Sequence, residues 1–288
     1  MLKNNNPFDA GEIEIHWCPG CGNFAILDSL KATLHELQLT PQEIVVISGI
    51  GQAGKTPHFM RCNYFNGLHG RTLPLAMAVK ASNPKLKVLA IGGDGDMFSE
   101  GGNHLLHAIR RNINVTAIVH NNMVYGLTKG QASPTSRIGF ETTVQISGVT
   151  TNPFNPISFA ISQDCSFVAQ ANAGDRDQTK DILKLAIKHQ GFAMVNILQP
   201  CVVFNKINTY KWFKEHSYYL SNDHDPTDRK KAFELSIEQD RFPLGIIYKN
   251  GNRPTFEETL EVYKYGNTIP LIHRVRDMNK ISQKFFIE

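Results

Sequence analysis

The residues in this 288-residue chain best suited to chemistry are an aspartate set among glycines and an asparagine pair. The run Gly92-Gly93-Asp94-Gly95-Asp96 ends an apolar stretch, and Asn121-Asn122 ends the next one, placing Asn122 28 positions after Asp94. Glycines on both sides of Asp94 let the backbone turn tightly and come close to a ligand. A carboxylate, a side-chain amide and nearby backbone carbonyls are hard oxygen donors. They suit Mg²⁺, which is commonly shared with substrate phosphates. A second group is sulfur-bearing: Cys18 and Cys21 form a CxxC within WCPGCG. Spacing alone leaves the CxxC open between a metal site, a dithiol pair and two buried thiols. A further glycine-rich turn, residues 48–55 (SGIGQAGK), signals close backbone approach to a ligand, and residues 68–71 (LHGR) follow. On its own, LHGR also reads as an ordinary helix-initiating turn with a solvated arginine.

Positioning these groups takes strands that end together. Apolar residues 88–91 read as a strand, residues 100–111 as a helix and residues 115–120 as the next strand. Ligands of open α/β sheets sit at the carboxyl ends of strands, and the following helix N-terminus favours phosphate. Asp94 and Asn122 are thus expected to meet at one sheet edge. The same alternation continues on either side. A helix carries Ile26, Leu27, Leu30, Leu34 and Leu37, and a strand covers 44–47. A helix runs to Asn83-Pro84, and further elements follow at 157–162, 167–169, 181–189 and 194–198. Strands alternating with helices predict an α/β fold, a doubly wound and mostly parallel sheet. Residues 1–205 are expected to form this domain. Residues 206–288, richer in charge and aromatics, are expected to be a C-terminal extension packing on a partner subunit. The stretch from Ser133 to Pro156 has little periodicity and reads as a functional loop, over the ligand site or at a partner interface.

Composition removes several classes. The chain is 41% hydrophobic and 19% charged with a net charge of +4, ordinary for a globular protein. No basic block argues for nucleic acid. No apolar run approaches the length of a membrane span, and the first residues lack a signal-peptide core, so a cytoplasmic place is expected. Five cysteines, an odd number, argue against a disulfide framework.

The string GDGD followed by NNMVYGLTKGQASPTS resembles the thiamine-diphosphate signature, and in full it is similar to the β subunit of 2-oxoacid:ferredoxin oxidoreductases. That resemblance implies thiamine diphosphate and Mg²⁺, with the metal held by Asp94, the Asn122 side chain and the Val124 carbonyl. It places Gly95, Asp96, Leu127 and Thr128 around the diphosphate. Ile50, Gly51, Gln52 and Ala53 would line the cofactor, and Leu68, His69, Gly70 and Arg71 would help to hold it. Lys55 resembles a basic residue facing the 2-oxoacid carboxylate, and Lys129 is a candidate for substrate or coenzyme A contact. In ferredoxin-linked members Cys18, Cys21 and Cys201 would be ligands of a [4Fe-4S] cluster. The usual fourth cysteine is replaced by Gln52, a poor substitute for a thiolate. The implied reaction is oxidative decarboxylation of a 2-oxoacid, with 2-oxoglutarate favoured, giving acyl-CoA, CO₂ and electrons for ferredoxin. An α subunit would complete the enzyme as αβ or (αβ)₂. The alternatives are a thiamine-dependent decarboxylase or synthase without a cluster, and a non-catalytic metal-binding module.

Overall fold

The computed structural model describes residues 6–238 and 241–275. Eight strands make one sheet: β1 (Ile44–Ser48), β2 (Asn63–Asn66), β3 (Lys87–Gly93), β4 (Val115–Asn121), β5 (Phe167–Asn172), β6 (Ala193–Leu198), β7 (Ser217–Tyr219) and β8 (Phe242–Lys249). Their order across the sheet is β2-β1-β3-β4-β6-β5-β8-β7. The first six are mutually parallel, while β8 pairs antiparallel with β5 and β7 runs parallel to β8.

The central strands are near-continuous apolar runs because helices cover both faces of the sheet. β4 is buried along its whole length. On one face, α1 (Gly22–Glu36) and α5 (Arg176–Lys188) set Ile26, Leu30, Leu34, Ile182 and Leu183 against Leu89, Ile91, Ile118 and Val195. On the other, α2 (Thr72–Ser82), α3 (Gly102–Arg111) and α4 (Pro156–Ser162) set Leu73, Leu105, Ile109 and Ile161 against Val88, Ala90, Ala117 and Val119. Successive residues of β3 therefore serve opposite cores, as the two-residue strand period requires. Each fully buried leucine contributes roughly 1.5–3 kcal/mol.

From β1 the chain passes outward to β2, then returns across β1 to build β3 and β4. The loops leaving β1 and β3 thus diverge at neighbouring carboxyl ends, a switch point where open α/β sheets form their ligand crevice. Both glycine-rich loops singled out in the sequence lie there.

Two local expectations change. The helix expected at 100–111 is split: Gly95–Glu100 forms a π-helical turn, and α3 starts at Gly102. The helix expected at 181–189 begins at Arg176, because the Asp175 side chain caps it by accepting from the Gln178 N–H at 3.0 Å. Residues after 206 add further elements to the sheet. α6 (Tyr210–His216) and α7 (Arg229–Ser236) lead into β8, whose Leu244, Ile247 and Tyr248 are buried, so this segment extends the sheet. A short α8 (Phe256–Thr259) follows, and residues 276–288 of the expected extension lie outside the described residues. Among the described residues no helix is long and apolar enough to cross a membrane.

Candidate functional site

At the end of β3, Asp94 is buried, with a relative exposure of 2%. Its Oδ2 accepts from Ser133 Oγ at 2.5 Å and lies 2.6 Å from Thr135 Oγ1, which is also 2.9 Å from Asn121 Oδ1. The Asn122 backbone N–H also bears on the carboxylate. Burial raises the Asp94 carboxyl above the usual carboxylate range, and these donors only partly offset it. The two residues 28 positions apart do meet. Beyond them, Met123 takes a left-handed φ of 57°, sparsely populated for a side chain of this size. That turn brings Val124 round so that its N–H donates to Asn122 Oδ1 at 3.0 Å. The Asn122 carbonyl accepts from Asn205 Nδ2 and the Met123 carbonyl from Ser136 Oγ. Among the described residues none donates to the Val124 carbonyl.

A carboxylate with no side-chain donor on Oδ1, an amide oxygen and an undonated carbonyl are a fitting set for Mg²⁺. Among the described residues no three His, Cys, Asp or Glu side chains form a ready metal cage. Mg²⁺ needs none, since one or two carboxylates with waters and phosphates usually complete its shell.

Asp96 works differently from its neighbour. It too is buried, and its oxygens accept from the Ile50 N–H at 3.2 Å, the Gly70 N–H at 2.8 Å and Thr72 Oγ1 at 2.6 Å. His69 Nδ1 lies 3.1 Å from Asp96 Oδ1, and its Nε2 lies 2.9 Å from Glu100 Oε2. One carboxylate therefore fastens the loop after β1 to the turn before α2. Gly49 leaves room for it, because a Cβ there would come within 2.2 Å of Asp96 Oδ1. Gly70, at φ 69°, sits so close to the Glu100 backbone that any side chain would collide with it. Tyr125 Oη donates to Glu100 Oε2 at 3.1 Å, tying the loop after β4 to the same cluster.

The cysteines named from the sequence sit before and at the start of α1 and just after β6. Cys21 at the start of α1 is pushed up to about 11, first by burial, then further by the charges of Cys201 and Cys18. All three thiols named from the sequence are free, and among the described residues they do not make up a group of three that could hold a metal ion. Gln199 Nε2 reaches Cys21 Sγ at 3.5 Å, and Trp17 Nε1 donates to the Gln52 carbonyl at 3.0 Å. Asn23 lies between this group and the Asp94 loop: its Oδ1 meets His120 Nδ1 at 2.8 Å, two residues before Asn122.

Several expected residues are not enclosed by this chain. Leu68 is 74% exposed, Ile50 40% and Leu127 37%. Thr128 and Lys129 also lie exposed on the turn closed by the Tyr125–Gln131 bridge. Lys55, half-buried, sits in the 3₁₀ segment Ala53–Phe59 beyond the β1 loop, with Gly51 and Gln52 half-buried just before it. Arg71, exposed, precedes α2, while Gly95 is buried against the Tyr125 ring. Ser133 and Thr135, the two hydroxyls on Asp94, were not singled out as individual residues. Their only signal was their place in an aperiodic loop and in the string ASPTS.

An acid, an amide and an undonated carbonyl stand together at the switch point of the sheet. The family described as thiamine pyrophosphate enzyme, C-terminal TPP binding domain, matches residues 48–197. The C-terminal family of the pyruvate ferredoxin oxidoreductase β chain matches residues 201–265. A 2-oxoacid:ferredoxin oxidoreductase subunit beta of Saccharolobus solfataricus is 44% identical over 258 residues, covering 85% of each chain. The 2-oxoglutarate oxidoreductase subunit KorB of Mycobacterium tuberculosis is 45% identical over 192 residues, 67% of this chain and 52% of that one. A solved 2-oxoglutarate:ferredoxin oxidoreductase from Magnetococcus marinus, with 2-oxoglutarate, coenzyme A and succinyl-CoA bound, superposes with a TM-score of 0.91. It is 35% identical and covers 99% of this chain and 97% of its own. The chain belongs to the β subunits of the 2-oxoacid:ferredoxin oxidoreductases, and it is an oxidoreductase subunit.

Proposed function

We propose that this chain, joined to an α subunit, oxidatively decarboxylates 2-oxoglutarate, passing the acyl group to coenzyme A and electrons to ferredoxin. The observation that carries the reading is the meeting of Asp94 with the Asn122–Val124 turn at the switch point of the sheet. The choice of 2-oxoglutarate is supported by the names of the Mycobacterium tuberculosis and Magnetococcus marinus relatives.

In this reading Asp94, Asn122 and Val124 hold Mg²⁺, and Gly95, Leu127 and Thr128 border the diphosphate. Asp96 positions the Ile50–Ala53 and Leu68–Arg71 segments that flank the cofactor. Thiamine diphosphate, when bound, supplies the nucleophile and electron sink for loss of CO₂. The protein contributes alignment: a fixed metal anchor and two loops pinned to one buried carboxylate hold the reacting centre in place. Lys55 takes the substrate carboxylate and Lys129 the substrate or coenzyme A. Cys18, Cys21 and Cys201 would supply thiolates to an iron–sulfur cluster, which would give the electrons a one-electron acceptor. Residues 1–205 form the cofactor domain, and residues 206–288 pack on the α subunit through the surface outside β7 and β8. Five free cysteines, three of them cluster ligands, suit a reducing cytoplasm.

The test is viologen-dye reduction by the αβ complex with thiamine diphosphate, Mg²⁺ and coenzyme A. The complex is expected to turn over with 2-oxoglutarate in preference to pyruvate, and the isolated chain not at all. Robust turnover by the chain alone, or a preference for pyruvate, would contradict the reading. An active complex without iron and without dye reduction would favour the non-oxidative decarboxylase instead.

A further inference from the structure

Four buried polar side chains form a ladder from β8 across β5, β6 and β4 to Asp94. Gln170 Nε2 donates to the Pro243 carbonyl at 3.0 Å, and Asn196 Nδ2 donates to Gln170 Oε1 at 2.8 Å. Asn121 Nδ2 donates in turn to Asn196 Oδ1 at 3.2 Å. Thr135 Oγ1 then lies 2.9 Å from Asn121 Oδ1 and 2.6 Å from Asp94 Oδ2. Strand register makes the run possible, since Gln170 pairs with Asn196, and Asn196 with Val119, two residues before Asn121. Val168, Met194 and Val119, each two residues earlier on the same face, all belong to the apolar core.

Three amides at the end of such a face add little net stability. Apolar groups of the same shape can replace a satisfied hydrogen-bonded pair almost without loss. What the ladder adds is direction. A backbone carbonyl only accepts, so Pro243 draws the amide nitrogen of Gln170 towards itself, and each amide then orients the next. Asn121 is thereby made to present its oxygen to Thr135, whose hydroxyl stands between that oxygen and the acid.

We propose that Gln170 and Asn196 are positioning residues: they fix Asn121, and through it Thr135, against Asp94. The proposal rests on the Mg²⁺ reading of Asp94 made above. It gives β8 a part in holding the cofactor acid, since the ladder is tied to that strand's backbone.

The test is calorimetric titration of thiamine diphosphate into the αβ complex at one fixed Mg²⁺ concentration below saturation. Gln170→Met, which keeps the length of the side chain without its amide, and Asn196→Leu are compared with wild type, and both are repeated in a Thr135→Val background. Each single variant is expected to weaken binding roughly 3–30-fold. In the Thr135→Val background either change should alter affinity by less than about twofold, because the link to Asp94 is already cut. An equal loss in both backgrounds, as a merely structural role would give, or unchanged affinity in either single variant, would overturn the proposal and leave the Mg²⁺ site standing. A wild-type complex that binds no thiamine diphosphate in the presence of Mg²⁺ would overturn the reading of Asp94 itself.

Discussion

Ser133 and Thr135 stand behind Asp94, the acid proposed to hold Mg²⁺, both reaching the same carboxylate oxygen. Groups that orient a metal ligand typically contribute ~10–100-fold in affinity. Ser133→Ala and Thr135→Ala are therefore each expected to raise the Mg²⁺ concentration giving half-maximal activity by about that factor, with activity recovered at saturating Mg²⁺. An unchanged Mg²⁺ requirement would remove them from the site. Asp96 makes a separate prediction, because it touches loops rather than metal. Asparagine there offers one amide group where three donors converge, so a hydrogen bond to a charged acceptor, about 1.5–3 kcal/mol, is lost. Asp96→Asn should lower unfolding stability by that amount in urea titrations. It should also raise the KM for thiamine diphosphate more than it lowers kcat. At this scale the sequence was legible where glycines and spacing marked a ligand, as at Asp94 and Asn122. It named Asp96 only as a diphosphate neighbour through the resemblance and missed its hold on two loops, whose donors are mainly backbone N–H groups, and it was silent on Ser133 and Thr135, whose loop has no period to read.

β4 carries the most telling element-scale feature, a histidine with no exposure at all just before the asparagine pair. Burial lowers His120 to about 3 and His189 to about 4. Both are neutral in the folded chain, whereas the unfolded chain takes up protons near 6.5. Stability is therefore full above pH 6.5 and falls as pH drops towards 4 and then 3, at up to ~1.4 kcal/mol per pH unit for each histidine. His120→Gln retains an amide to meet Asn23 and removes one titrating group. Between pH 6.5 and 5 its urea-unfolding free energy should fall with a shallower slope than the wild type, and equal slopes would contradict the burial argument. Most elements could be read because the parallel strands are continuous apolar runs. β2, reading NYFN on the sheet edge, is exposed throughout and carries no core pattern. β8 contains Pro243 and a glycine at φ 137°, which disguise a strand that nonetheless pairs with β5.

At the scale of the whole molecule, the chain presents half of an active site. Ile50, Leu68 and Leu127, proposed to face the cofactor, are apolar and exposed in the loops beside the buried Asp94. A site that must exclude water needs those side chains covered, which is the physical reason for placing the α subunit over them. The doubly wound fold was legible from the alternation of strands and helices. The joining of the C-terminal segment to the sheet was not, because antiparallel addition at an edge leaves no trace in strand–helix alternation.

Two sheet-edge loops converging on one Mg²⁺-bound cofactor are the central claim. The most direct measurement is calorimetric titration of thiamine diphosphate into the αβ complex, with and without Mg²⁺, for wild type and Asp94→Ala. Tight binding is expected in the wild type only when Mg²⁺ is present, and Asp94→Ala should lose it in either condition. Equal affinity in the variant, or wild-type binding indifferent to Mg²⁺, would contradict that convergence.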